Sequence, residues 1–224
     1  MAPSTHAPIT SLEAIKPRLR GVSHKYAFFV SLGLGVLLIL AAGGSRARLA
    51  AIVYAVAVSA LLGTSALYHC HTWAPQARRR MRRLDHSMIF VLIAGSYTSV
   101  ALLALHGLLS QVVLVVVWTG AAAGIVLKLA WIDAPRGLVA GVYLALGWVS
   151  VITLGQLTHS IGALGVTGLA VGGLLYTVGA VIYALRRPNP VPNVFGYHEV
   201  FHALVIAAAA LHYAVMAFAV LPRG

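Results

Sequence analysis

Apolar positions along this chain do not alternate with polar ones. They gather into seven long runs, at residues 26–42, 49–68, 87–105, 108–130, 138–157, 165–185 and 199–221. The runs are too long for barrel strands and lack the two-residue period of a half-buried sheet. About 20 apolar residues in helical form span roughly 30 Å of hydrocarbon, and lipid offers the backbone few other solutions. The pattern therefore predicts an all-α, integral membrane bundle of seven transmembrane helices. Residues 1–25 form a polar N-terminal tail, and 26–221 form a single domain. The tightest expected turn is between the third and fourth runs, where only His106 and Gly107 intervene.

Charge then orients the bundle. With the N-terminus cytoplasmic, the inner segments hold thirteen Lys and Arg, and the outer segments hold three: Arg46, Arg48 and Arg223. The positive-inside rule selects that arrangement, with the C-terminus outside. The basic stretch Arg78–Arg83 is the inner anchor of the second loop and a contact for anionic lipid headgroups. No aromatic platform or recognition module accompanies it, so nucleic acid is excluded as a partner. A cleaved signal peptide is the competing reading of the first run, but Ser45-Arg46-Ala47 is a poor cleavage site and the preceding tail is long. An uncleaved first helix is expected.

Composition agrees. Hydrophobic residues make up 60% of the 224, and charged residues 9%. A soluble domain carries about 25% charged residues. Cys70 is the single cysteine, which excludes an intramolecular disulfide framework. The location expected is a cell membrane, crossed many times, with membrane lipids as the partners.

Against this apolar background ten histidines and four acidic residues stand out. His198 and His202 are four apart at the start of the seventh run, hence on one helix face, one turn apart. His69 ends the second run, with Ser65 one turn earlier, and Asp85 opens the third. The orientation fixed by Lys and Arg brings His69, Asp85, His198 and His202 to the same inner depth. Three imidazoles with a fourth position left to water make the open pattern of a catalytic zinc site, so Zn²⁺ is the expected cofactor, held by His69, His198 and His202. Asp85 is placed as general base, or alternatively as a direct ligand, and Ser65 as its hydrogen-bonding partner or a donor to an oxyanion.

Each residue has a plainer reading. A His pair at this spacing also serves hydrogen bonding or a proton path. Asp85 suits a helix N-cap facing the basic loop, Ser65 a packing hydroxyl, and Glu199 the N-terminus of its own helix. His24 stands at the inner interface, where it would back the cluster. Cys70 is a minor alternative ligand. His6 and Glu13 lie in the tail, His71, His86 and His212 point elsewhere, and His106 and His159 belong to the outer side. Tyr97 and Thr98 are placed in packing, or on a substrate cavity, and Lys128 snorkels from a helix end. Gly168 and Gly172 form a small-xxx-small pair for close helix packing.

Four segments in order carry a likeness to a known family: Lys16-Pro17-Arg18-Leu19-Arg20-Gly21-Val22-Ser23-His24, Ser65-Ala66-Leu67-Tyr68-His69, Leu84-Asp85-His86-Ser87 with Ala94-Gly95-Ser96-Tyr97-Thr98, and Tyr197-His198-Glu199-Val200-Phe201-His202. The chain resembles the bacterial hemolysin III proteins, which are related to the progestin and adipoQ receptors, including the adiponectin receptors. The resemblance implies seven helices, an inner N-terminus and a zinc near the cytoplasmic face on His69, His198 and His202, with Asp85 at the water and Ser65 beside it. Departures are peripheral: Cys70 and His71 follow the first ligand, and Ser99 stands where the family often has proline. The wider superfamily includes alkaline ceramidases, which implies hydrolysis of a lipid amide or related bond, from a substrate held in an intramembrane cavity. The alternatives are a receptor-like or membrane-homeostasis protein with structural zinc, and a lytic or pore-forming protein.

Overall fold

The computed structural model describes residues 16–224, so His6, Glu13 and most of the N-terminal tail lie outside it. The described chain is helical: α1 Val22–Leu40, α2 Ser45–Cys70, α3 Pro75–Leu103, α4 Gly107–Ala130, α5 Arg136–Gly147, α6 Leu154–Leu185 and α7 Tyr197–Val215. A 3₁₀ segment, Trp148–Thr153, joins α5 to α6, and a π turn, Met216–Val220, prolongs α7. Among the described residues, β structure amounts to one bridge between Val191 and Phe195.

Among the described residues, six helical stretches are long and apolar enough to cross a membrane. The fifth and sixth apolar runs share one of them, the 50-residue stretch Arg136–Leu185. It is not straight. Gly162, at φ 73° and ψ 171°, has non-helical backbone in a region that only glycine occupies easily. Trp148 Nε1 donates to Thr177 Oγ1 at 3.1 Å. In a continuous helix these residues would stand about 43 Å apart. The stretch therefore folds back on itself about Gly162, which lies midway between them.

Small residues set the packing. Ala47, Ala50, Ala51, Ala57, Ala94 and Ala101 are buried where α2 meets α3. A Cβ on Gly95 would come within 2.6 Å of the Ala57 Cβ. Ser99 donates to Ala50 O of α2 at 2.7 Å, which gives the hydroxyl at this position a structural task. The expected role of the Gly168/Gly172 pair holds: Gly168 sits against Val215 and Gly172 against the His212 ring, both on the α7 side. The tight turn at His106-Gly107 is present, with Gly107 at φ 64°.

One boundary differs from the sequence expectation. The third helix starts at Pro75, not near residue 87, so the basic run Arg78–Arg83 is helical. Proline suits the first helical position because its missing N–H costs nothing there. Asp85 then lies nearly three turns inside α3, which rules out its reading as an N-cap.

Candidate metal centre

Three elements bring the site together. The N-terminal strap, residues 16–21, lies along the loop before α7: Arg18 N donates to Asn193 O at 3.1 Å and Leu19 N to Val194 O at 3.2 Å. Arg20 then forms an ion pair with Glu199, which is buried. The other Glu199 oxygen accepts from Gly196 N at 2.8 Å and closes the start of α7 as a capping box. Glu199 thus fixes the helix that carries His198 and His202, as its plainer reading held. Gly21, at φ 82°, ends the strap against α2, where an added Cβ would lie 2.5 Å from the His69 Cβ.

His69, His198 and His202 are all buried, with one ring nitrogen of each within 4.8 Å of the others. His198 Nε2 and His69 Nε2 are 3.2 Å apart. Two nitrogens each at 2.0–2.1 Å from one tetrahedral zinc stand about 3.3–3.4 Å apart, so the spacing fits such an ion as well as it fits a hydrogen bond. His202 Nδ1 is buried without a partner. Buried polar atoms are nearly always satisfied, so an unpartnered imidazole nitrogen in this cluster is an exception. The donor set therefore suits a nitrogen-binding divalent ion.

Asp85 reaches the same point from α3, its Oδ2 3.8 Å from His69 Nε2. Ser65 and Asp85 line one cavity with His198 and His202. The structure thus brings together all five residues singled out from sequence. It sets others aside. Cys70 is exposed, with its sulfur toward Arg20 O at 3.9 Å, and is absent from the cluster. His106 and His159 are exposed far along the chain's other turns. His212 Nε2 donates to Leu169 O, 3.1 Å away, deep between α6 and α7.

The cavity beyond the cluster holds about 340 Å³, within the usual size for a small-molecule site. Its wall is mainly apolar, running from Leu61 and Ile89 to Val166 and Leu169. Tyr97 lines it and ties α3 to the turn after α5: its hydroxyl donates to Gly147 O and accepts from Ser150 N, each at 2.6 Å.

His24 is stacked on His202, ring centroids 3.8 Å apart and planes 9° from parallel, so it backs the cluster, as its place at the inner interface led us to expect. Lys128 does not snorkel: it is buried in the cavity wall, and its Nζ donates to Ile132 O at 3.2 Å. Its place at an inner helix end was visible, but nothing in the spacing told which way the side chain turns.

The chain is similar to several known proteins. The family model described as Haemolysin-III related matches residues 12–213. A Hemolysin-3 homolog of Bacillus subtilis (strain 168) is 33% identical over 169 residues, 75% of this chain and 76% of its own. Hemolysin-3 of Bacillus cereus is 30% identical over 204 residues, 90% of each chain. The adiponectin receptor protein of Drosophila melanogaster is 31% identical over 186 residues, 68% of this chain but 38% of its own length. With six apolar helices of spanning length, the chain is a multi-pass membrane protein, consistent with a bacterial cell membrane. It belongs to the haemolysin-III-related family.

Proposed function

We propose that the protein is a zinc-dependent hydrolase of a lipid amide or related membrane lipid bond, crossing the membrane seven times with its N-terminus cytoplasmic. The fold-back at Gly162 supports the seventh crossing. So does the grouping of loops. The strap at Arg18 and Leu19 meets the loop at Asn193 and Val194, whereas the C-terminal Gly224 sits beside Leu103 and Ala47.

The observation that carries the chemistry is a buried His69/His198/His202 cluster and a carboxylate at the end of an apolar cavity. Zinc held by the three imidazoles would polarise a carbonyl oxygen and bring water toward ionisation near neutral pH. The apolar wall takes the lipid chain and keeps bulk water from the reacting bond. Asp85 accepts the proton of the attacking water and returns it to the departing nitrogen. Ser65 sits beside it and orients its carboxylate.

The test compares wild type, His198→Ala/His202→Ala and Asp85→Ala for metal content and for hydrolysis of an N-acyl lipid amide in mixed micelles. Wild type is expected to hold zinc one to one, and the double variant none. Asp85→Ala is expected to keep the metal and lose about 10²–10⁴ in turnover. Unchanged turnover in Asp85→Ala would remove the base assignment. The 3.8 Å approach of Asp85 to His69 also supports a second reading, in which the carboxylate closes the fourth position of a structural zinc. In that case Asp85→Ala loses metal and no protein turns over any lipid.

A further inference from the structure

A second hollow, of about 300 Å³, runs along the seam where α1 faces α2 and α7. It shares no lining residue with the histidine cavity. One stripe of α1 forms its long wall: Ser23, Ala27, Val30, Leu34 and Leu38 recur at helical spacing and line it. From Ser23 to Leu38 is about 22 Å along the helix axis. One leaflet contributes about 15 Å of hydrocarbon, half of the bilayer core. The groove is therefore long enough to run from the membrane surface past the bilayer middle.

The sequence explains why it is hollow. α7 carries four consecutive alanines, Ala207–Ala210, and Ala209 and Ala210 face the groove. Between α2 and α3 small residues let the backbones close up, as at Gly95 and Ala57. At Gly35, α1 closes in the same way on Ala55 of α2, where an added Cβ would lie at 2.9 Å, and the space toward α7 stays open. Only His24, Gly35 and Leu38 of α1 are buried. Protein interiors are close-packed, so a gap of this size between two helices is filled by something other than the chain.

The wall selects the filler. The polar atoms inside the groove are already committed: Ser31 Oγ donates to Phe28 O at 2.7 Å, Tyr54 to Ala209 O at 3.4 Å and Tyr213 to Leu34 O at 3.0 Å. Water needs two to four polar partners and finds none here. At membrane depth the apolar filler at hand is an acyl chain. One end of the groove differs. Ser23 and Tyr26 line it in the first turn of α1, next to the strap, and Lys25 is exposed between them. Among the described residues Lys25 has no ion pair, and the three carboxylates are held elsewhere: Glu199 by Arg20, Asp133 by Arg82, and Asp85 beside His69. A tyrosine and a lysine at a helix end suit the headgroup level of a bilayer. A polar, basic mouth on an apolar groove complements an amphiphile with an anionic head. A second copy of a spanning helix would instead be apolar along its whole length.

We infer that the α1–α7 groove binds one acyl chain of an anionic phospholipid, with its headgroup at Lys25 and Tyr26. In the orientation proposed above, this lipid belongs to the cytoplasmic leaflet. Its chain supplies the packing that α1 lacks against α7, the helix that carries His198 and His202. The groove stands apart from the hydrolase reading, and its lipid is bound, not turned over.

The test is native mass spectrometry of the detergent-purified full chain, titrated with phosphatidylglycerol or phosphatidylcholine of identical 18-carbon chains. The first phosphatidylglycerol is expected to bind about fivefold tighter than the first phosphatidylcholine, the scale of one basic residue at a headgroup. Lys25→Gln is expected to bring the two lipids to one affinity. Ala210→Phe fills the groove and is expected to abolish the tight first event, whereas Ala122→Phe, on the exposed face of α4, leaves it intact. Val30→Trp blocks the groove from the α1 side and serves if Ala210→Phe does not fold, as judged by its melt. Equal affinity of wild type for both lipids, or a tight event that survives the groove-filling variants, overturns the site. So does a wild-type dimer that Ala210→Phe dissociates, which would give the groove to a second copy. A tight lipid lost in His198→Ala/His202→Ala but kept in Ala210→Phe would belong to the histidine cavity and overturn the site as well.

Discussion

At Gly21 the missing side chain serves two purposes. Its φ of 82° suits glycine, and the space where a Cβ would lie is taken by His69. Gly21→Ala should therefore cost about 1–3 kcal/mol and displace a metal ligand. The expected result is a lower melting temperature together with sub-stoichiometric zinc. A variant that keeps full zinc content would show that His69 does not depend on this contact. The pairing of His198 and His202 was legible in the sequence because a four-residue spacing fixes a helix face without any tertiary information. Gly21 and Lys128 were not legible to the same degree. Their roles depend on what a distant helix presents to them, and spacing along one helix says nothing of that.

Among the helices, hydropathy found the cores of the spans and misjudged where one begins. The polar run before residue 87 was read as loop because it is basic, yet Pro75 starts the helix and the arginines continue it. Hydropathy marks what lipid accepts, while helix caps mark where a helix starts, and in α3 the two signals are nearly three turns apart. The shift relocates Asp85 from a helix end to a helix interior that faces the cluster. The other decisive element feature is the reversal at Gly162. Its backbone angles are open to glycine and strained for every other residue, so Gly162→Ala should destabilise the fold by about 1–3 kcal/mol. Thermal unfolding in detergent would measure it. An unchanged midpoint would mean that the reversal does not depend on a glycine at this position. The glycine content of this run was evident in the sequence, but the spacing pointed to Gly168 and Gly172 as packing positions and did not single out Gly162.

For the whole molecule, the proposed metal ties parts of the chain that are far apart in sequence, since His69 is on α2 and His198 and His202 are on α7. An ion bound only by the folded state stabilises it by about 3–4 kcal/mol when its concentration is 100–1,000 times its dissociation constant. Chelation should then lower the melting midpoint by roughly 5–15 °C. The His198→Ala/His202→Ala protein should show no such response. A wild-type midpoint that stays fixed while the metal is stripped would show that the helices hold the site without help from the ion. The overall class, an all-helical membrane protein, followed from composition and run length alone, since so few charged residues cannot cover a water-facing surface.

The strap from Lys16 to Gly21 also bears on the order in which the protein is made. It leaves the ribosome before α1, but its partners Asn193, Val194 and Glu199 are made only after α6. During synthesis the first helices must wait in the bilayer with Arg20 unpaired and His69 lacking its companions. Only the arrival of the last helix seats the strap, covers His69 and completes the nitrogen cluster in one event. Acquisition of the proposed ion would therefore wait for α7, and a chain cut before that helix would carry no finished site into the membrane.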